Sequence, residues 1–224
     1  MKTTQFIMKT TQYQRICLLA ILSFFISISA LNNAIAAELL LPQQAIAEAS
    51  DKLKEKMQNP DFVKDFAQIT DFVESAIYPH VDFNRISALV LGKYWREATP
   101  TERSQFNKEF QNLLVRTYSR AFIEFKDWSV RFLPLKMESD ATKVVVKTEI
   151  LQPGIQPIAV DYRMVLIRDK WKAYDILIEG VSLVTNFRTT FNNEIKNRGS
   201  LAAVIETLKT RNAEALSKNS LHNS

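Results

Sequence analysis

Cysteine and histidine are scarce in this chain of 224 residues, which contains one cysteine and two histidines. Cys17 stands close to the N-terminus, so the rest of the chain has no thiol for a disulfide, a nucleophile or a zinc site. His222 lies near the C-terminus, in a polar stretch that we expect to be a disordered tail. His80 follows a proline in a predicted loop, where a single histidine is more often solvated than catalytic. These shortages argue against a metal centre and against most nucleophilic enzymes.

Glycine is also scarce, with four residues, and none of them forms the glycine-rich loop that binds phosphates. The motifs HExxH and GxSxG are absent as well. The remaining acid–base candidates are Asp175 and Glu179 on one predicted strand and Asp161 on the strand before it, with Tyr162 and Tyr174 nearby. An enzyme with a buried carboxylate therefore stays open as an alternative. We favour the simpler interpretation, in which these acids face solvent or cap the next helix.

Residues 1–36 have the pattern of a cleaved signal peptide. A basic start without acidic residues precedes the apolar run Ile16–Ile28, which is too short for a comfortable membrane span. Ala34-Ile35-Ala36 is a typical small-x-small cleavage site. Cleavage there would remove Lys2, Lys9 and Arg15 and lower the formal net charge from +5 to +2. The high isoelectric point thus gives no support for a nucleic-acid partner.

Beyond the predicted signal we expect one domain, residues 37–211, and a disordered tail at 212–224. The first half of the domain has helical periodicity, with predicted helices at Gln43–Met57, Asp61–Ile77 and Phe83–Trp95, the last containing Gly92 as a point of close packing or bending. A fourth helix of about 25 residues begins at Thr99, because Thr99 and Glu102 form a capping box around a proline. Its aromatic stripe needs a large partner surface.

The pattern changes to the two-residue period of strands after this helix. Four strands are predicted, at Trp128–Phe132, Thr142–Leu151, Ile158–Leu166 and Trp171–Gly180, with Tyr174, Ile176 and Ile178 on one face of the last strand. Short turns between them indicate an antiparallel meander. Two helices follow, one ending at Gly199 and one capped by Ser200. The fold class is therefore α+β, with helices on a curved four-stranded sheet that encloses either a solid core or an internal apolar cavity.

Two blocks of this sequence resemble the MlaC family of periplasmic phospholipid-binding proteins, also called toluene-tolerance proteins. The first block comprises Tyr78–Phe83, Ser87–Trp95 and Ala98–Arg103, and the second comprises Trp171–Ile176, Glu179–Val184 and Phe187-Arg188. The resemblance implies a cystatin- or NTF2-like core that holds phospholipid acyl chains in its cavity. It implies no catalytic motif, cofactor or metal.

The resemblance also implies a place and partners for the protein. Members of the family are exported to the periplasm and carry phospholipid between the two membranes, which maintains outer-membrane lipid asymmetry and solvent resistance. The implied partners are an inner-membrane MCE-domain protein of an ABC transporter and an outer-membrane lipoprotein–porin complex. A related carrier of hopanoid-type lipids is an alternative for the cargo, and an interaction module with a solid aromatic core is an alternative for the class.

Surplus apolar side chains are the candidates for a lipid-binding wall, because four strands do not need the whole aromatic stripe as a partner. We selected them from the helical stripes and from the apolar positions of the strands. The hypothetical site consists of Leu89, Val90, Tyr94, Phe106, Phe110, Leu114, Tyr118, Phe122, Val144, Val160, Tyr162, Tyr174, Ile176 and Val181.

Overall fold

Side-chain caps at Asp65, Asp82 and Thr99 start three of the helices in the first half of the chain. The computed structural model describes residues 38–124 and 127–221, so the predicted signal peptide, Cys17 and His222 lie outside the described residues. The helices here are α1 (Leu41–Met57), α2 (Phe66–Phe72), α3 (Phe83–Leu91), α4 (Lys93–Glu97) and α5 (Pro100–Glu124). The Thr99 hydroxyl accepts a hydrogen bond from the Glu102 backbone N–H at 3.2 Å, and the Glu102 carboxylate accepts one from the Thr99 N–H at 2.9 Å. The predicted capping box is present.

The predicted helix over Asp61–Ile77 is interrupted. It consists of a 3₁₀ turn at Phe62–Lys64, helix α2, a π-helical turn at Val73–Ile77 and a second 3₁₀ turn at Tyr78–His80. Asp65 causes the first break, because its backbone is extended and its side chain accepts hydrogen bonds from Ala67 N–H at 2.9 Å and Gln68 N–H at 3.1 Å. We call residues 62–80 the strap.

The predicted helix around Gly92 is also divided at that glycine. Gly92 has φ +57°, which ends α3 and starts α4 in a new direction. A Cβ atom at this position would stand 3.2 Å from a guanidinium nitrogen of Arg188. The glycine therefore permits both the change of direction and the close approach of the arginine.

The described strands form one antiparallel sheet with the order β1-β2-β3-β4-β5. They are β1 (Ser129–Phe132), β2 (Lys143–Leu151), β3 (Ile158–Ile167), β4 (Lys170–Ile178) and β5 (Val181–Ser182). The meander and the α+β class are confirmed, but the prediction of four strands was one too few. The extra strand is a two-residue partner of Leu177 and Ile178, too short to show a two-residue period in the sequence.

A β-bulge in β4 changes which side chains share a face of the sheet. Arg163 pairs with Asp175 and Met164 pairs with Ala173, so Tyr174 is the extra residue. The paired positions directly before and after the bulge, Ala173 and Asp175, therefore pair with opposite faces of β3 although they are two residues apart.

The predicted faces of β4 were wrong in part, because Ile176 and Ile178 share a face as expected but Tyr174 does not lie on it. Trp171 and Ala173 lie on the same side of the sheet as Ile176 and Ile178, because all four pair with even-numbered residues of β3. Tyr174 leaves that face and packs against the helical core. We call the face with Ile176 the inner face and the opposite one the outer face.

Two helices, α6 (Leu183–Arg198) and α7 (Leu201–Leu221), complete the fold. Together with α3 and α5 they bury a helical core centred on Phe106, Phe110 and Phe191. The prediction of a disordered tail from residue 212 placed the end of the ordered domain too early, because α7 continues to Leu221. Asn212 is buried, and its side-chain amide donates to the Glu109 backbone carbonyl at 3.0 Å and to the Glu109 carboxylate at 2.7 Å. Because Asn212 is polar, the sequence alone does not distinguish it from a residue of a disordered tail.

The residues from Leu40 onward belong to one compact unit. Within the described residues, no helix has the length and apolar composition needed to cross a bilayer.

Candidate functional site

An internal cavity of about 550 Å³ separates part of the inner sheet face from the helices. Its volume falls within the range of about 300–1,000 Å³ that is usual for small-molecule sites. The helical side of its wall consists of Leu53, Met57, Ile69, Val73, Ile77, Tyr78, Val81, Phe83, Ile86, Phe110, Leu114, Val115, Tyr118, Leu183, Val184 and Phe187. The sheet side consists of Trp128, Ile150, Ile158, Val160, Tyr162, Asp175, Ile176 and Ile178.

Strand alternation explains the sheet side of the wall. Ile158, Val160 and Tyr162 occupy every second position of β3, so they share the inner face. The register places Ile178 opposite Val160 and Ile176 opposite Tyr162. These cross-strand pairs form a continuous apolar surface.

Helix α5 divides its aromatic stripe between two environments. Near its start, Phe106 is fully buried in the helical core, with its ring centroid 5.0 Å from that of Phe191. Leu114 and Tyr118, at the next two four-residue steps after Phe110, line the cavity. Phe110 contributes to both, since it packs on Phe106 at 5.5 Å and also lines the cavity. The stripe therefore packs against protein in its first part and faces the void in its middle.

The strap closes another side of the cavity with Ile69, Val73, Ile77 and Tyr78. It has a small hydrophobic cluster of its own, which includes Phe62, Ile69 and Val115. The Phe62 and Phe72 rings meet edge to face at 5.6 Å inside this cluster. Because Phe62 and Phe72 are not wall residues, their packing holds the strap in place without touching the void.

The hydroxyl groups of the wall remain uncharged at neutral pH. Burial raises the pKa of Tyr162 to about 12, although a hydrogen bond with Thr148 acts in the opposite direction. Burial, with a smaller contribution from Glu74, raises the pKa of Tyr78, and burial also raises the pKa of Tyr118. A tyrosine that ionises near pH 10 in water is thus even harder to ionise here.

Asp175 is the acidic residue of the wall, and its oxygens are engaged by neighbouring groups. They accept hydrogen bonds from Arg163 at 3.0 Å, from the Ser182 hydroxyl at 2.8 Å and from the Val184 backbone N–H at 3.2 Å. The carboxylate therefore joins β3, β5 and the first turn of α6. This agrees with the prediction that the acids of β4 serve the next helix, and it gives Asp175 a structural role.

The other acid candidates lie away from the cavity. Asp161 is on the outer face of β3, between Lys147 and Leu177 in the register. Glu179 is in the β4–β5 turn, where its carboxylate accepts a hydrogen bond from the Ala159 N–H at 2.5 Å. Among the residues that the structure describes, no group of histidine, cysteine and acidic side chains is arranged to hold a metal ion.

The structure brings six of the predicted site residues to the cavity wall: Phe110, Leu114, Tyr118, Val160, Tyr162 and Ile176. The other described residues of the prediction lie elsewhere. Val90 and Phe106 are core residues, Tyr94 and Tyr174 pack against the helical core, Val144 packs in the cluster at the far end of the sheet, and Leu89 and Val181 are exposed. The side chain of Phe122 lies outside the described residues.

Most of the wall residues that the prediction omitted belong to segments that it did identify as amphipathic. Leu53 and Met57 of α1 and Ile69, Val73 and Ile77 of the strap follow the predicted apolar faces. The sequence has no signal that separates a core stripe from a cavity stripe, because both require the same residues at the same spacing. Only the three-dimensional arrangement shows which stripes leave a gap between them.

An unoccupied pocket with this wall would be unfavourable, because its apolar side chains would lack packing partners or be exposed to water. The wall is also too apolar to hold ordered water well. Both effects favour an apolar occupant.

The family model of the MlaC protein matches residues 47–210, which include every residue of the cavity wall. The chain belongs to the MlaC family. Among curated relatives of this MlaC family member is the toluene tolerance protein ttg2D of Pseudomonas putida, 24% identical over 131 residues, or 58% of this chain and 60% of the relative. The alignment thus covers less than two thirds of that relative's length.

A solved structure is also similar to this MlaC family member. It is the phospholipid-binding protein from Ralstonia solanacearum, determined in complex with a phospholipid, with 30% sequence identity and a TM-score of 0.72. The similarity covers 78% of this chain and 98% of that one. The fold around the cavity is therefore shared with a protein whose structure contains a bound phospholipid.

Proposed function

We propose that this protein is a periplasmic phospholipid carrier, which encloses acyl chains in the apolar cavity and transfers lipid between the outer and inner membranes. The observation that carries the proposal is the apolar cavity of about 550 Å³ in a fold similar to that of a phospholipid-binding protein. Under this proposal the carrier helps to maintain outer-membrane lipid asymmetry. The Ralstonia relative and the toluene-tolerance relative both support it.

The physical requirement for such a carrier is the cost of exposing acyl chains to water. Each methylene contributes about 0.8 kcal/mol, so two long chains amount to on the order of 20 kcal/mol. A cavity that shields the chains removes most of this penalty. Because the wall is nearly free of charged groups, it suits the chains rather than the headgroup, which would stay in solvent.

The proposal includes export and partners. Residues 1–36 would direct the chain to the periplasm and be cleaved. Lipid would then be exchanged with an outer-membrane lipoprotein–porin complex and with an inner-membrane MCE-domain protein of an ABC transporter. These partners follow from the family resemblance, and the direction of transfer would be set by their energy source.

Native mass spectrometry of the purified protein tests lipid binding directly. The wild-type protein should carry a non-covalent mass that corresponds to phospholipid. Ile176→Trp should reduce this occupancy strongly, because the larger side chain would project from β4 into the space that the chains need.

Leu177→Trp is the matched control, since Leu177 is the next residue of the same strand and lies on the outer face. It should keep wild-type occupancy. Circular dichroism would establish that both variants are folded. A wild-type protein without phospholipid, or equal occupancy in the two folded variants, would contradict the proposal.

A further inference from the structure

The outer face of the sheet carries a group of three lysines that form no ion pair among the described residues. Lys170 and Lys172 lie on this face of β4, opposite Ile167 and Val165, and Lys143 of β2 lies on the other side of Val165. Strand geometry places the Lys170 and Lys172 backbones about 7 Å apart and those of Lys143 and Lys172 about 10 Å apart. We call Lys143, Lys170 and Lys172 the lysine patch.

Two arginines of the outer face form ion pairs with acidic residues. Arg131 forms an ion pair with Glu149, and Arg163 forms one with Asp175. In the described part of the chain, no ion pair involves a patch lysine. The patch has a charge of +3, while all residues after position 36 together have a net charge of only +2. Three cationic side chains thus share this end of the outer face.

The histidine at the end of the strap lies within electrostatic reach of the same patch. Burial lowers the pKa of His80, and Lys52, Lys172 and Lys170 lower it further against an opposing effect of Glu48. Glu48 itself forms an ion pair with Lys52 at 2.6 Å. Glu48 also interacts electrostatically with Lys170, so it offsets part of the charge at one edge of the patch.

Two of the patch lysines, Lys143 and Lys170, are exposed, whereas Lys172 is half-buried and Val165 between them is buried. Val145, the next outer-face residue of β2, keeps 42% of its accessible surface. Lysines are uncommon in the centres of protein–protein interfaces, where tyrosine, tryptophan and arginine are enriched. A flat surface with flexible ammonium groups, one exposed valine and no aromatic side chain is better matched to an array of phosphate groups, which lysine binds as a point charge.

We propose that the lysine patch docks the carrier onto membrane surfaces that contain anionic phospholipids. This inference rests on the proposed function, because a lipid carrier has to approach a bilayer when it loads or unloads. Each lysine close to an anionic surface strengthens association by a factor of about five, so the three lysines together contribute about 100-fold. The contact is electrostatic and reversible, as a shuttle requires.

Vesicle co-flotation tests the proposal, with protein purified after expression of the full chain and its N-terminus established by mass spectrometry. The wild-type protein should bind vesicles of phosphatidylglycerol and phosphatidylethanolamine at low salt. It should bind much less to phosphatidylcholine vesicles, and less at high salt, where the Debye length shortens to about 3 Å. The Lys143→Gln/Lys170→Gln/Lys172→Gln variant should lose on the order of 100-fold in affinity for the anionic vesicles.

Lys108→Gln/Lys196→Gln/Lys209→Gln is the matched control. It removes the same charge from exposed positions of α5, α6 and α7 and should bind like the wild type. Equal losses in the two triple variants, or no wild-type binding to anionic vesicles, would overturn the proposal. Binding to polyglutamate but not to vesicles would overturn it in favour of an acidic protein partner. Native mass spectrometry separates these results from a failure of the carrier function, since both triple variants should retain bound phospholipid.

Discussion

At the scale of single residues, the interior contains a hydroxyl group whose position is unfavourable. Ser87 of α3 is fully buried, and its hydroxyl has no hydrogen-bond partner among the described residues. An unsatisfied buried polar group typically destabilises a fold by about 1–3 kcal/mol. The cavity wall avoids this arrangement at Asp175, whose carboxylate accepts three hydrogen bonds. Ser87 is therefore a site where the fold is not optimised.

Ser87→Ala should stabilise the protein. The change removes the unpartnered hydroxyl, keeps the Cβ atom and improves helix propensity, so we expect the free energy of unfolding to rise by about 1 kcal/mol. Urea denaturation followed by circular dichroism measures this difference. Ser75→Ala serves as the comparison, because the exposed Ser75 hydroxyl donates a hydrogen bond to the Phe72 carbonyl at 3.1 Å and has no burial penalty to relieve. A Ser87→Ala variant less stable than the wild type would show that the hydroxyl is satisfied in solution.

At the scale of elements, the strap differs from the other walls of the cavity. Adjacent strands of the sheet are joined by backbone hydrogen bonds, and α5 is a helix of 25 residues. The strap, in contrast, consists of short 3₁₀, α and π-helical turns. Its packing depends on the small Phe62 cluster rather than on the helical core. π-Helical turns frequently occur at functional sites. The strap is thus the wall that can open with the smallest loss of packing.

Phe62→Leu should accelerate lipid release. The substitution weakens the edge-to-face contact with Phe72 outside the cavity and should destabilise the strap by about 1 kcal/mol. If the strap opens for exchange, release should become about fivefold faster. Transfer of a fluorescent phospholipid from loaded protein to an excess of vesicles measures the rate.

Phe191→Leu provides the control for this measurement, because Phe191 is buried in the helical core and does not line the cavity. Its release rate should remain near that of the wild type even though its overall stability falls. Similar release from wild type and Phe62→Leu would place the opening elsewhere in the wall. Equal acceleration in both variants would indicate that release follows global stability instead of strap opening.

Elements that begin or end at a strong local signal could be predicted from the sequence. Breaks caused by a side chain that competes for backbone hydrogen bonds, or by a shift in strand register, could not. The capping box at Thr99 and the left-handed end of α6 at Gly199 are local and appear where expected. The break at Asp65 was missed, because the apolar period continues through it while the aspartate side chain competes for the backbone. The bulge at Tyr174 was missed since a bulge shifts the register without altering the apolar pattern.

The candidate site also has parts that could be predicted from the sequence and parts that could not. The α5 stripe as a whole and the apolar face of β3 could be selected as a candidate wall, because their apolar surface exceeds what the neighbouring strands need, but the sequence did not show which part of the stripe faces the cavity. Phe106 could not be separated from Phe110 and Leu114, since all three share one helical face. The lysine patch could not be predicted from the sequence. Its members come from two strands, and only the strand register places them on the same face of the sheet.

At the scale of the whole molecule, stability and lipid binding should be linked. The apolar walls of the cavity lose packing contacts when no ligand fills it, which lowers the stability of the empty protein. Partial collapse of the strap would recover some of this energy. A ligand that binds the folded state alone raises stability in proportion to the logarithm of its free concentration over its Kd. The loaded carrier should therefore be substantially more stable than the empty one.

Delipidation should lower the free energy of unfolding of the wild-type protein by several kcal/mol, and reloading with phospholipid should restore it. Thermal and urea unfolding of the loaded, stripped and reloaded protein measure this difference. Ile176→Trp supplies an internal check: it fills part of the void, so its stability should depend less on bound lipid, and its stripped form should be more stable than the stripped wild type. Leu177→Trp, on the outer face, should show the full wild-type dependence. Equal stability of the loaded and stripped wild type would mean that the walls close completely when lipid leaves. The strap would then have to be as ordered without lipid as with it. Hydrogen exchange across residues 62–80 would measure this order.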